Sequence, residues 1–221
     1  MEFDFSPVID AWRYLARGLG LTLALSAWCV IASLLLGTIL GLARSYGPSW
    51  LRIPLVFYID SMRAIPALVL LVWTYFAAPL VFGVTLPSFW AALIAITAQC
   101  AAFVAEIVRA GLMSVRPGQT RAALALGMSE AQVVRHIVLP QALVRMLPAF
   151  GSIVAITIKD TALAGVIAVP EFLFRSQTLA SQSFRPIEVF LVAIVVYFVL
   201  IWPVTRAMNS AYVRLAHLGR S

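Results

Sequence analysis

Two long uncharged stretches lie in the first half of the chain. Residues 18–43 carry no Asp, Glu, Lys or Arg over 26 positions, which exceeds the ~20 that a helix needs to cross a bilayer. Residues 64–105 continue this pattern over 42 positions, but two prolines and a glycine at 79–87 indicate a turn inside the run. The pattern predicts one membrane-spanning helix followed by two more.

The second half has one long polar segment and two further apolar stretches. The first stretch, 146–170, is apolar apart from Lys159 and Asp160, and the second, 187–206, ends at Arg206. We therefore expect an all-α integral membrane protein, a single domain over 1–221 with five spans and one cytoplasmic helical loop. The spans are predicted at about 18–43, 54–82, 88–110, 146–170 and 187–206, and the loop at about 114–142.

Composition supports this interpretation. Of the 221 residues, 62% are hydrophobic and 11% are charged, less than half of the roughly 25% charged residues in soluble domains. The net charge of +7 comes from arginines between the apolar runs, as in membrane proteins with several spans, so we expect no nucleic-acid binding. Cys29 and Cys100 lie within apolar runs and indicate neither a disulfide framework nor a metal site.

The arginines are unevenly divided between the two sides of the predicted membrane. With the polar loop inside, ten arginines lie inside and four outside. The inside set is Arg44, Arg52, Arg109, Arg116, Arg121, Arg135, Arg145, Arg206, Arg214 and Arg220, and the outside set is Arg13, Arg17, Arg175 and Arg185. Because cytoplasmic loops are enriched in Lys and Arg, we expect an external N-terminus and a cytoplasmic C-terminus.

The polar loop contains helix start and stop signals. Pro117 suits the first turn of a helix, and Gly127 suits the left-handed residue after a helix end. Ser129 and Gln132 have the spacing of a capping box for a second short helix, which Pro140 is expected to end. The loop is thus predicted to be a rigid helical elbow, although a helical hairpin with no special role would show the same pattern.

The spacing in this loop resembles the signature of permeases from binding-protein-dependent ATP-binding cassette importers. The matching residues are Ala122, Ala123, Gly127, Ile137, Leu139 and Pro140. Glu-Ala-Ala normally opens the signature, and here Arg121 stands in place of that glutamate. The chain therefore lacks the carboxylate that would make a salt bridge with the ATPase at this position.

Further segments resemble the polar amino acid uptake permeases, in the order expected for that family, from about residue 20 to residue 206. These segments are 58–66, 106–115, 117–119, 123–127, 139–142 and 159–161. The resemblance implies the five-helix core of a type I importer permease in a bacterial inner membrane. It leaves open whether the amino acid is acidic, basic or an amide.

The resemblance also implies partners and a division of labour. The expected partners are two cytosolic ATPase subunits, a second copy or paralogue of the permease, and an extracytoplasmic amino-acid-binding protein. The only lysine, Lys159, is not preceded by a glycine-rich phosphate-binding loop, so the chain is not expected to be an enzyme. ATP and magnesium would be bound by the ATPase, and no cofactor is expected in this chain.

The elbow is where the resemblance implies contact with the ATPase. A short helix at about 129–136 would sit in a groove of the ATPase and transmit its closure to the spans. The coupling residues implied are Ala122, Ala123, Gly127, Ser129, Glu130, Arg135, Ile137, Leu139 and Pro140.

Lys159 and Asp160 are charges inside a predicted span, where exposure to lipid is costly. One interpretation is that Asp160, with Thr161, lines the substrate pathway and meets the substrate ammonium, while Lys159 braces the helix. The other is a structural ion pair with Glu106 or a second subunit. Both remain open from the sequence.

Arg63 and Glu106 are two further pathway candidates. The Arg63 guanidinium could pair with a substrate carboxylate in two-pronged fashion. Alternatively, Arg63 pairs with Asp60 three residues away, and Glu106 pairs with Arg109 at the same spacing.

Two other functional classes are weighed against the importer permease. The charged pair Lys159 and Asp160 could belong to an ion-coupled secondary transporter of small polar solutes, but five spans without an inverted repeat argue against it. An intramembrane enzyme is disfavoured because the sequence shows no pairing of a nucleophile with a base.

Overall fold

The computed structural model describes residues 3–215, and all regular secondary structure in that range is helical. In chain order the α-helices are α1 (Ser6–Asp10), α2 (Trp12–Tyr46), α3 (Ser49–Ala64), α4 (Ala67–Val72), α5 (Ala78–Phe82), α6 (Ser88–Met113), α7 (Pro117–Ala125), α8 (Glu130–Val133), α9 (Leu139–Thr161), α10 (Phe172–Ser183) and α11 (Pro186–Leu215). Two π-helical turns, Trp73–Ala77 and Val134–Val138, join α4 to α5 and α8 to α9, and a 3₁₀ segment, Ala162–Ile167, follows α9.

Four helices are long and apolar enough to cross a membrane, in agreement with the all-α membrane fold that the sequence predicts. They are α2, α6, the continuous helix Glu130–Ile167, and α11. A fifth crossing exists if the bent pair Ser49–Ala64 and Ala67–Phe82 counts as one span.

That bent pair lies where the sequence predicts a single crossing at 54–82. The two helices meet at an angle of 106°. Pro66 disfavours helical backbone at the residue before it, and Ile65 is extended with φ −82° and ψ 132°. Proline therefore breaks the helix here, whereas Pro148 inside α9 and Pro203 inside α11 are both accommodated.

The central helix of the bundle is α6, which packs along α2 over much of its length. Its buried face consists largely of alanine, and small side chains allow helix axes in membranes to approach closely. On the other side of the contact, a Cβ at Gly37 would lie 2.6 Å from the carbonyl oxygen of Ala101. A side chain at Gly37 would thus push α2 away from α6.

The fourth span begins much earlier than the sequence predicts. Pro140 does not end the helix that starts at Glu130; the helix continues without a break to Ile167. A proline ring clashes with the carbonyl four residues before it and lacks an N–H to bond there. The π-helical turn Val134–Val138 immediately precedes α9, and its wider turn, in which the Leu139 N–H bonds to the Val134 carbonyl five residues earlier, accommodates Pro140 without a break.

At the end of the fourth span remote from α7, a buried carboxylate joins three helices. Glu171 is fully buried and accepts hydrogen bonds from the N–H groups of Leu173 and Phe174 at the start of α10. Its carboxylate also accepts from the hydroxyls of Thr22 on α2 and Tyr197 on α11, at 3.3 and 3.2 Å. Two of these bonds cap α10, and the other two tie its start to α2 and α11.

Candidate functional site

The elbow consists of α7, a glycine turn and α8. Gly127 has φ +85°, a left-handed conformation that glycine adopts at little cost. The N–H of Gly127 donates to the Leu124 carbonyl, and the N–H of Met128 donates to the Ala123 carbonyl. This pair of bonds is a Schellman motif, which ends α7 and sets the direction of the chain into α8.

The start of α8 is held by a capping box, as predicted from the sequence. The Ser129 hydroxyl accepts a hydrogen bond from the N–H of Gln132 at 3.3 Å, and the Gln132 side chain accepts from the N–H of Ser129 at 2.8 Å. Only Met128 separates the glycine turn from the capping box. The elbow is therefore rigid.

A small apolar core fastens the elbow to the bundle. Ala123, Val133 and Val138 are 5%, 2% and 7% exposed, and they belong to the same buried cluster as Leu112 at the end of α6. Because α8 is continuous with α9, a displacement of the elbow must move the fourth span.

The outward surface of the elbow contains most of the coupling residues that the sequence predicts, together with several of their neighbours. Exposed positions there are Arg116, Arg121, Ala122, Ala125, Leu126, Gly127, Ser129, Glu130, Ala131, Arg135, His136, Leu139 and Pro140, while Ile137 is half-buried. The structure brings the predicted coupling residues into one elbow, with Ala123 on its inner side and most of the others outside.

Leu126 is the residue of this surface that sequence analysis missed. It lies at the end of α7 and is 84% exposed, although it is a large apolar side chain in a polar segment. Its exposure was not predictable because neighbouring loops could have covered it.

Lys159 and Asp160 lie near the middle of the bundle. The Thr157 hydroxyl, one turn earlier on α9, donates to the Cys100 sulfur at 3.3 Å, and Cys100 is halfway along α6. Lys159 is exposed and Asp160 half-buried, and neither forms a salt bridge within residues 3–215. Two charges at this depth need a protein partner or water.

Thr161 faces away from any open surface. It is completely buried, and its hydroxyl lies 3.2 Å from the Ser26 hydroxyl of α2. Thr161 therefore ties α9 to α2 directly behind Asp160.

Arg63 and Glu106, the two further pathway candidates from the sequence, lie close together in the structure. Glu106 lies 2.7 Å from Arg44 of α2, 2.5 Å from Arg109 of its own helix and 3.9 Å from Arg63 of α3. Arg63 is also 4.0 Å from Asp60, the helical pair that the sequence allows. We call these residues the Glu106 network; it links α2, α3 and α6.

Residues 3–215 contain no cluster of three or more His, Cys, Asp or Glu side chains able to hold a metal ion. What the described residues offer is a rigid elbow, a continuous helix and two charged side chains near the middle of the bundle.

Known proteins are similar to this chain in sequence and in fold. Residues 33–215 match the family described as binding-protein-dependent transport system inner membrane component. The chain is 36% identical over 203 residues to the glutamine transport system permease protein GlnP of Escherichia coli, covering 90% of this chain and 92% of GlnP. It is 34% identical to the probable amino-acid ABC transporter permease protein PatM of Vibrio harveyi, covering 97% and 100%.

A solved structure agrees with these relatives. The crystal structure of an amino acid ABC transporter with histidines contains a chain that superposes with a TM-score of 0.89 at 29% identity, covering 97% of this chain and 100% of that one. These proteins give no support to an ion-coupled secondary transporter or to an intramembrane enzyme. The chain belongs to the family of inner membrane components of binding-protein-dependent transport systems, as its elbow and its helical spans indicate.

Proposed function

We propose that this chain is the membrane-spanning subunit of an ATP-driven importer of polar amino acids. The continuous helix Glu130–Ile167 carries the proposal, because one rigid element joins the elbow to Lys159 and Asp160. The relatives named for glutamine and amino-acid transport support the substrate class.

The elbow is the contact for a cytosolic ATPase. The coupling residues are Ala122, Ala123, Gly127, Ser129, Glu130, Arg135, Ile137, Leu139 and Pro140. A ligand can change a conformational equilibrium only through contacts that differ between states. Closure of the ATPase on ATP would displace the elbow, and the helix of about 57 Å would carry that displacement into the membrane. ATP and magnesium act on the ATPase alone.

The assembly contains two ATPase subunits, two permease chains and an extracytoplasmic amino-acid-binding protein. The second permease chain is a copy of this one or a paralogue. Lys159 is exposed and forms no salt bridge within residues 3–215, which supports a neighbouring chain on this side of α9, since a charge inside the membrane is costly against lipid.

The N-terminus faces outward and the C-terminus faces the cytoplasm. The arginines of the elbow and of the last turns of α11 support this orientation through the positive-inside rule. Arg220, which the sequence places in the same inside set, lies outside the described residues.

Asp160 receives the ammonium group of the substrate, and Lys159 meets the second permease chain. Thr161 acts from behind by holding α9 against α2. Arg63 and Glu106 take part in the pathway by holding α2, α3 and α6 together, because the carboxylate of Glu106 is already engaged by three guanidinium groups.

The test is reconstitution into proteoliposomes with the ATPase and binding protein that co-purify with the chain. We expect uptake of a polar amino acid that requires ATP inside the vesicle. Ser129→Cys should crosslink to the ATPase, whereas Ser181→Cys, an exposed serine on α10, should not. Uptake without ATP, or a crosslink from Ser181→Cys alone, would overturn the proposal.

A further inference from the structure

Leu126 is an apolar side chain presented rigidly at the tip of the elbow. It is 84% exposed and lies between the last turn of α7 and Gly127. The Schellman bonds on one side and the capping box on the other hold its backbone in place. Little conformational entropy would be lost when a partner binds it, which favours a strong contact.

The exposed charge of the elbow is mainly positive. Arg116, Arg121 and Arg135 are exposed, and none of them takes part in the salt bridges found within residues 3–215. Glu130 is the single carboxylate between residues 116 and 136. Arg121 projects from the side of α7 opposite the buried Ala123.

These observations favour a protein groove over a lipid surface. A helix that lies on a membrane has a broad stripe of large apolar side chains beside its basic residues. The outer face of α7 instead carries Ala122 and Ala125 around Arg121, with Leu126 at the tip 84% exposed and Leu124 42% exposed. Small side chains permit close approach of a partner helix or groove, and a single anchor fits a pocket.

We infer that the groove receiving this elbow has an apolar pocket for Leu126 and carboxylate side chains facing Arg121. The inference rests on the proposed function, which supplies the ATPase as the partner. In the wider family signature, a glutamate of the permease stands where Arg121 stands in this chain. The inference adds that the ATPase surface facing this position is acidic. The polarity of that contact is thus reversed in this transporter.

The inference is tested by measuring binding of the co-purifying ATPase to the permease in nanodiscs of neutral lipid, at low and high KCl. Leu126→Ala and Arg121→Glu should each weaken binding about tenfold, the loss typical of an anchor or a close charge pair. Arg121→Glu should also make the affinity for the ATPase depend less on the KCl concentration. Arg121→Lys and Leu126→Met should retain most of the affinity.

Matched controls separate these effects from general ones. Leu80→Ala removes a leucine that is 87% exposed on α5, and Arg214→Glu reverses an exposed arginine near the end of α11. Neither should alter ATPase binding. Equal melting temperatures for all variants would show that the elbow remains folded.

Three results would overturn the inference. Arg121→Glu could bind the ATPase more tightly, or Leu126→Ala could bind it as well as the wild type, or the variants could lose only affinity for vesicles rich in anionic phosphatidylglycerol. If Ser129→Cys still crosslinks to the ATPase in any of these cases, the proposed function stands and the chemistry of the groove is wrong. If Ser129→Cys does not crosslink, both fail.

Discussion

The side-chain amide of Gln99 donates a hydrogen bond to the main-chain carbonyl of Met62 at 3.3 Å. Met62 is four residues before Pro66. In an unbroken helix its carbonyl would accept a hydrogen bond from the N–H of residue 66, but proline has no N–H. The same amide also donates to the carbonyl of Ile65 at the bend. Gln99 on α6 therefore stabilises the 106° break between α3 and α4 by satisfying backbone groups that lipid could not.

Gln99→Leu should destabilise the bent pair. Leaving buried carbonyls without a donor costs about 1–3 kcal/mol, which should lower the melting temperature of the protein in detergent. Gln177→Leu, at an exposed glutamine of α10, is the control and should have no such effect. The double variant Pro66→Ala with Gln99→Leu should lose less than the sum of the single variants, because alanine allows the helix to continue through residue 65 and then supplies an N–H to the Met62 carbonyl. Strict additivity would show that Gln99 does not act through that carbonyl.

The Glu106 network should also be structural. Glu106→Gln leaves Arg44, Arg63 and Arg109 without their shared carboxylate, and loss of hydrogen bonds to a charged group costs about 2 kcal/mol. We expect a lower melting temperature and a lower yield from membranes. Asp60→Asn, which removes a 58% exposed carboxylate at 4.0 Å from Arg63, should change little. A Glu106→Gln protein of normal stability that fails to transport would assign Glu106 to the substrate instead.

Glu171 should anchor α10. Glu171→Ala removes the acceptor of four hydrogen bonds and should release the start of α10, visible as faster hydrogen exchange over 172–183 and as a melting temperature lowered by several degrees. Tyr197→Phe and Thr22→Val each remove one of these bonds and should cost less than Glu171→Ala. An α10 that remains protected in Glu171→Ala would mean that apolar packing alone positions the helix.

Asp160→Asn should abolish transport while leaving the complex assembled. The substitution keeps the size of the side chain but removes the charge that would meet an ammonium group. Asp10→Asn, at an exposed aspartate of α1, serves as the control for loss of one carboxylate. Uptake in proteoliposomes and recovery of the intact complex should be measured on the same preparations. Loss of the complex would instead assign Asp160 a structural ion pair with a second subunit.

Features that depend on local sequence could be predicted from the chain alone. The apolar runs give the spans, and the left-handed Gly127 and the Ser129–Gln132 capping box are fixed by residues at most three positions apart. These signals define both the membrane fold and the elbow.

The features that could not be predicted arise from tertiary structure. The break at Pro66 depends on a donor from Gln99, 37 residues after Met62. Glu171 finds Thr22 at a separation of 149 residues. Pro140 resembles a helix stop, but the π-helical turn before it allows the helix to continue. A proline in a membrane helix can end the helix or be accommodated in it, and a carboxylate can pair with many groups. Distant contacts or local backbone geometry decide between these possibilities.

The continuity of the helix between the elbow and Asp160 is tested most directly by uptake per ATP hydrolysed in proteoliposomes with Leu143→Pro. Leu143 lies on α9 between the two sites and is 49% exposed, and a proline there removes one N–H of the helix and clashes with the carbonyl of Leu139, which weakens the helix between Pro140 and Pro148. We expect the Leu143→Pro variant to bind the ATPase and to support ATP hydrolysis, but to lose amino acid uptake. The Leu143→Ala variant should transport normally. Normal uptake per ATP in Leu143→Pro would contradict transmission through this helix.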